Sequence, residues 1–193
     1  MRPALLSLFL AVLLAGCASP RASFYHLSAD PSLAATSART NSRPVIVGPV
    51  TVPDLVDRPQ IVTRNTNNEV ALNEYARWGE PLGSSIASAI AGDLTLLLGS
   101  DRVAPATRAI ADPQAWRVRV DIQQFESVPG DAVTIDAHWS ARRFGDENGP
   151  TGRSLVREPV SGGDWDALVA AHSRALGRVS RDIATAIERA APQ

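Results

Sequence analysis

Apolar residues recur along this chain with two periods, and the switches between them mark its elements. Trp116, Val118, Val120 and Ile122 alternate with polar residues, as do Val133, Ile135, Ala137 and Trp139, the period-two signature of half-buried strands. Pro129-Gly130 between them predicts a connecting loop. Pairing Val128 with Asp131 then sets Val120 opposite Trp139 and Ile122 opposite Ala137, so both apolar sets share one face. Ile86, Ile90, Leu94, Leu97 and Leu98 repeat at helical spacing, with Pro81 suited to the first turn and Gly99 as the stop. A second helix follows Asp164, a suitable cap, and carries Trp165, Leu168, Val169, His172, Leu176, Val179, Ile183 and Ile187 at intervals of three and four.

Shorter signals fill the gaps. Pro44 to Pro53 is rich in β-branched residues, and its prolines predict a strand at an edge or carrying a bulge. Gln60–Arg64 and Glu69–Leu72 flank Asn65-Thr66-Asn67-Asn68, whose asparagines tolerate left-handed backbone, so a hairpin is expected. A loop over Gly145–Gly152 precedes a strand near Ser154–Val160, where Pro159 again predicts an edge. Four or more mostly antiparallel strands with two amphipathic helices on one face make a two-layer α+β sandwich. The chain shows no internal repeat.

The first residues follow a different logic. Arg2 precedes an apolar run from Ala4 to Ala15, broken only by Ser7, and Leu14-Ala15-Gly16-Cys17 ends it as a bacterial lipoprotein signal ends, at the cysteine that is cut and acylated. The run is too short for the roughly 20 apolar residues of a membrane span. Residues 1–16 therefore read as a lipoprotein signal peptide. A diacylglyceryl thioether and an N-acyl chain on Cys17 exceed the two lipid signals that stable anchoring takes. Ala18 follows where an aspartate would retain an enteric-type lipoprotein in the inner membrane, and this points to the outer membrane. Residues 17–43 are the lipidated cysteine and a tether of mostly Ala, Ser, Thr, Arg and Pro. Phe24-Tyr25-His26-Leu27 predicts a short strand docked on the edge of the domain formed by residues 44–193. The loop left from Ser28 to Arg43 would span about 22 Å as a flexible coil.

Composition narrows the chemistry. The net charge is −1 and 45% of residues are hydrophobic, which suits one domain with a real core and implies no nucleic-acid patch. Cys17 is the one cysteine, so once it is acylated no thiol remains for a disulfide or a nucleophile. Lysine is absent and all 19 basic residues are arginine, which excludes a P-loop lysine, a Schiff base and a Ser-Lys dyad.

Among possible catalytic groups, Asp136, His138 and Ser140 share one strand face. Residues two apart on a strand lie about 6.6 Å apart at the backbone, too far for a contacting triad, and the hairpin register sets Asp121 opposite His138 and Arg119 opposite Ser140. A solvated polar face is expected. His172 falls within the apolar stripe of the last helix and reads as a hydrogen-bonded core histidine, and His26 has no ligand-spaced neighbours. Asp54, Asp57 and Arg58, and Asp164 with Asp166, lack the oxygens of a calcium loop. No catalytic residue, metal site or cofactor is expected. One segment stands out as a binding surface. Tyr75, Arg77, Trp78 and Glu80 cluster before the first helix, and Tyr, Trp and Arg are enriched at interface hot spots. The alternative is that Trp78 plugs the helix entrance while Glu80 favours its positive end.

The signal at Cys17, Phe24-Tyr25-His26-Leu27, Val47-Gly48-Pro49-Val50-Thr51-Val52-Pro53 running into Leu55-Val56-Asp57-Arg58-Pro59-Gln60-Ile61-Val62, and Arg77-Trp78-Gly79-Glu80-Pro81-Leu82 together resemble the PqiC/YmbA family of ABC-type transport auxiliary lipoproteins. The likeness spans the chain, and Gly79 stands where relatives usually carry alanine. The resemblance implies a non-enzymatic outer-membrane lipoprotein facing the periplasm. It would act with an MCE-domain protein and inner-membrane components in intermembrane lipid transport and envelope integrity. Contact with that partner, or with neighbouring copies in a ring, would involve the Arg77-Trp78 region and exposed strand edges. A pilot lipoprotein for another outer-membrane machine, a lipid-binding carrier and an envelope hydrolase are the competing readings.

Overall fold

The structure is a computed structural model that describes residues 21–33, 44–146 and 148–190. Cys17, the signal peptide and the stretch 34–43 lie outside the described residues. The order of elements is β1 (Ser23–Tyr25), β2 (Val45–Thr51), β3 (Gln60–Arg64), β4 (Val70–Trp78), α1 (Leu82–Leu98), β5 (Val103–Pro105), β6 (Trp116–Val128), β7 (Ala132–Arg142), β8 (Thr151–Pro159) and α2 (Trp165–Ala190). The fold is α+β, as the pattern predicts.

The strands form two sheets, in the orders β5-β2-β6-β7-β8 and β1-β4-β3. The long pairings β6–β7 and β7–β8 are antiparallel, as is β3–β4, whereas β1–β4, β2–β5 and β2–β6 are parallel. Alternation along a strand says which face is buried but not which neighbour it takes, so one mostly antiparallel sheet was the simplest reading and the parallel half escaped it. The three-residue β5 gave no periodic signal. Strand β2 is internal, and its prolines are accommodated by the bulge alternative, the register with β6 shifting between Val47 and Val50.

The β6–β7 hairpin keeps the expected register over its open half, with Val120 opposite Trp139, Asp121 opposite His138 and Ile122 opposite Ala137. Toward the loop it differs by one residue: Val128 faces Ala132 and not Asp131, because Gln123 is an extra residue on β6. The bulge switches the parity of burial. Val118, Val120 and Ile122 point inward before it, Phe125 and Ser127 after it.

Both helices cover the same face of the larger sheet, α1 against β2 and β5, α2 against β7 and β8. Gly99 closes α1 in a left-handed conformation (φ 58°), its N–H donating to the Thr95 carbonyl. Pro81 sits one position before the helix begins and supplies no side-chain cap. Asp164 caps α2, its Oδ1 accepting from the Ala167 N–H at 2.8 Å. Glu158, buried on β8, pairs with Arg174 at 2.9 Å and Arg178 at 2.7 Å and fastens α2 to the sheet edge. The Trp139 ring lies over Gly152 on β8, where a Cβ would collide with it, and its Nε1 donates to Ser154.

Candidate interaction surfaces and the N-terminal strap

The segment from Phe24 to Leu33 decides how the rest of the molecule is held. Its first part forms β1, pairing with the last residues of β4, and the Gly79 N–H donates to the Tyr25 carbonyl at 2.7 Å. Residues 26–33 then have no regular structure, yet Leu27, Asp30 and Leu33 are buried. The Leu27 N–H donates to Ser85 on α1, the Ser28 N–H to Ser173 on α2, and the Asp30 N–H to Asp93 on α1. Asp93 also accepts from Ser180 on α2 at 2.8 Å. A Cβ on Gly92 would lie 2.9 Å from Ala29 Cβ, and one on Gly177 would lie 2.7 Å from Asp30 Cβ. Only glycine admits the strap at both points. Polar composition had suggested a loop, and these residues are one, but backbone N–H donors facing helix side chains hold it in place of apolar bulk.

Burial pushes the Asp93 carboxyl up to about 6; hydrogen bonds from the Asp30 backbone and Ser180 oppose the rise. The buried His172 is pushed down to about 3 by desolvation, so it is neutral at ordinary pH. Its ring stacks on Phe125 at 4.1 Å, and Nε2 lies 2.7 Å from the Ser127 hydroxyl. This is the hydrogen-bonded core histidine expected from its helical position.

Asp136, His138 and Ser140 occupy the other face of the larger sheet, away from the helices. Arg153 takes both carboxylate oxygens of Asp136, Nε at 2.8 Å and Nη2 at 2.7 Å, and this holds the carboxyl below its usual range. His138 is exposed, and the Asp136 carboxylate is committed to a guanidinium on the neighbouring strand. Arg117 and Arg142 stand directly opposite each other on β6 and β7, with Arg119 two residues on; all three are exposed and without a side-chain partner among the described residues. Sequence reasoning missed this cluster, although the hairpin register that places Arg119 opposite Ser140 also places Arg117 opposite Arg142.

Tyr75, Arg77 and Trp78 belong to β4, which runs on to Trp78 where Glu69–Leu72 was expected to end. Asn73 bulges the strand, its Oδ1 accepting from the N–H groups of Tyr75 and Ala76. Trp78 is buried and meets Phe125 edge-on at 6.3 Å between centroids, so its indole packs beneath the small sheet. Tyr75 and Glu80 are exposed and Arg77 is half-buried beside Phe24. The structure thus separates Trp78 from the other three. A cleft of about 360 Å³ opens between the two sheets, lined by Val56, Val62, Val70, Phe125 and Gln124, with the Arg64–Glu126 ion pair (2.9 Å) beside it.

Two packed sheets, a helix pair on one face and an N-terminal strap between the helices define an α+β domain. No helix among the described residues is long and apolar enough to cross a membrane. Residues 25–184 match the family of ABC-type transport auxiliary lipoprotein components, and the chain belongs to it, in agreement with its PqiC/YmbA-like motifs. No functionally curated protein matches the sequence. Among solved structures, an uncharacterised protein shares the fold with a TM-score of 0.69 at 17% identity, covering 87% of this chain and 99% of its own. A Xanthomonas campestris protein of the DUF330 family is similar with a TM-score of 0.57 at 20% identity, covering 86% of this chain and 91% of its own.

Proposed function

We propose that this lipoprotein is anchored through acylated Cys17 to the outer membrane, facing the periplasm. There it acts as a non-enzymatic auxiliary subunit of an MCE-domain intermembrane lipid transport system that supports envelope integrity. The observation that carries this reading is the family match over residues 25–184 in a chain whose N-terminal apolar run closes on Leu14-Ala15-Gly16-Cys17. A structural role accords with the chemistry of the polar groups: Asp136 is locked to Arg153, and His172 is buried and neutral.

For the partner contact, the open face of the larger sheet is favoured. Arg117 and Arg142 are like charges directly opposite, an arrangement that costs stability alone and is relieved by an acidic surface laid across it. Affinity purification of the acylated protein from its host should recover an MCE-domain protein and a permease. Recovery of a secretin would support the pilot reading instead. Reversing charge at Arg117 and Arg142 should reduce that recovery without lowering Tm. The cleft beside Phe125 favours a second reading, direct lipid carriage, which native mass spectrometry with added phospholipid tests through the presence of an adduct.

A further inference from the structure

Ser23, where β1 begins, lies six positions after Cys17. At full extension those six steps span about 20 Å. Because β1 is hydrogen-bonded along β4, any acyl chains on Cys17 bring this edge of the small sheet within that distance of the bilayer surface.

The edge is not polar. Phe24 is 68% exposed at the centre of β1, directly beside Arg77, and Tyr75, two residues before Arg77 on β4, is 48% exposed. Their neighbours Tyr25 and Trp78 pack against the core. Phe24 therefore has no packing role inside the protein, although β1 would pair equally well with a serine there, since its pairing uses backbone groups. Charges around the patch are balanced, Arg21 and Arg77 against Glu74 and Glu80.

Leu72, nearer the start of β4, is 45% exposed as well, whereas Leu55 lies in the loop before β3 and Leu155 on β8. Ile110 and Phe144 follow elements at the far end of the larger sheet, where α1 finishes after 17 residues. A helix of that length covers about 25 Å. The exposed apolar residues therefore fall into separate groups, of which the one on β1 and β4 adjoins the segment that leads back to Cys17.

We propose that the outward face of β1 and β4 rests in the interface of the membrane that holds Cys17. The Phe24 ring enters the acyl boundary, the Tyr75 phenol lies at headgroup level, and Arg77 meets lipid phosphates. With the local charges balanced, zwitterionic lipid suffices. The proposal rests on acylation of Cys17, and its test separates the two.

Once Cys17 is acylated the chain has no other thiol, so single substitutions Phe24→Cys, Tyr75→Cys and Arg142→Cys can each carry one environment-sensitive fluorophore. The full-length acylated variants are reconstituted into phosphatidylcholine vesicles containing nitroxide-labelled lipid. Probes at 24 and 75 should emit to the blue and lose most of their emission to the nitroxide, while the probe at 142 stays bright. Equal brightness at 24 and 142 on vesicles that carry the protein would overturn the proposed face while leaving the anchor intact. Failure to float with vesicles, with an intact mass lacking lipid, would overturn the anchor and the proposal together. Shielding at position 24 only after the host's MCE-domain protein is added would make the patch a protein contact and overturn the membrane assignment.

Discussion

The two sheets of this protein are built on different principles. In the larger one, β6 alternates on either side of its bulge and β8 along most of its length, neighbours in space are neighbours in sequence over β6, β7 and β8, and two helices seal the inner face. The smaller one joins β3 and β4 to a three-residue strand from the start of the chain, and its register is broken by a bulge at Asn73. The first is held by continuous apolar area. The second depends on a few specific contacts: Trp78 against Phe125, the Tyr25 carbonyl, and the strap that continues β1 between the helices. The difference teaches that stability and position are divided in this molecule, the larger sheet supplying most of the core and the smaller one fixing where the N-terminal segment leaves it.

The contrast can be broken from either side. Gly152→Val drives a side chain into the Trp139 ring where the edge strand β8 meets β7 in the larger sheet. Failure to fold, seen as loss of the near-ultraviolet signal, is the expected outcome. Trp78→Ala removes the largest side chain by which the small sheet enters the core, and truncations of this kind cost about 3–5 kcal/mol. Chemical denaturation should register that loss as a lower midpoint. Gly177→Val instead overpacks the strap against Asp30, at a typical cost of about 1–3 kcal/mol. Hydrogen exchange should show residues 27–33 opening while β6 and β7 stay protected.

The two buried titrating groups sharpen the comparison with opposite signs. Asp93 binds its proton more tightly when folded, so its contribution to stability is largest at low pH and is lost as pH rises from about 4 toward 6. Asp93→Asn should remove that falling slope. His172 binds its proton less tightly when folded, so it opposes folding progressively as pH falls from about 6.5 toward 3, and His172→Gln should remove that rising slope. Denaturation midpoints measured across pH 3–7 separate the two. The smallest effect is expected at His138→Ala, within about 0.5 kcal/mol for an exposed sheet residue. Complete loss of transport-linked function in that variant would contradict the non-catalytic reading.

Much of the larger sheet was legible in the sequence because its information is local. Alternation assigned inward residues on β7 and on β6 as far as Ile122, the Pro129-Gly130 loop placed the hairpin with a register that holds over its open half, and Gly99 and Asp164 marked helix ends through backbone preferences that need no distant partner. The site was less legible. Tyr75, Arg77, Trp78 and Glu80 attracted notice by type alone, and side-chain type does not say which of them turns inward. Trp78 does, because the bulge at Asn73 and the pairing with β1 orient β4.

The amino-acid order by itself determined the two amphipathic helices, the long hairpin and the α+β class, all of which follow from spacing within a few residues. Tertiary structure alone decided the parallel partners of β2, the joining of β1 to β4, and the strap seated on Gly92 and Gly177. Each of these depends on segments tens of residues apart meeting at contact distance. Periodicity records which side of a segment is apolar, but the choice among equally apolar neighbours is made by how all the segments pack at once.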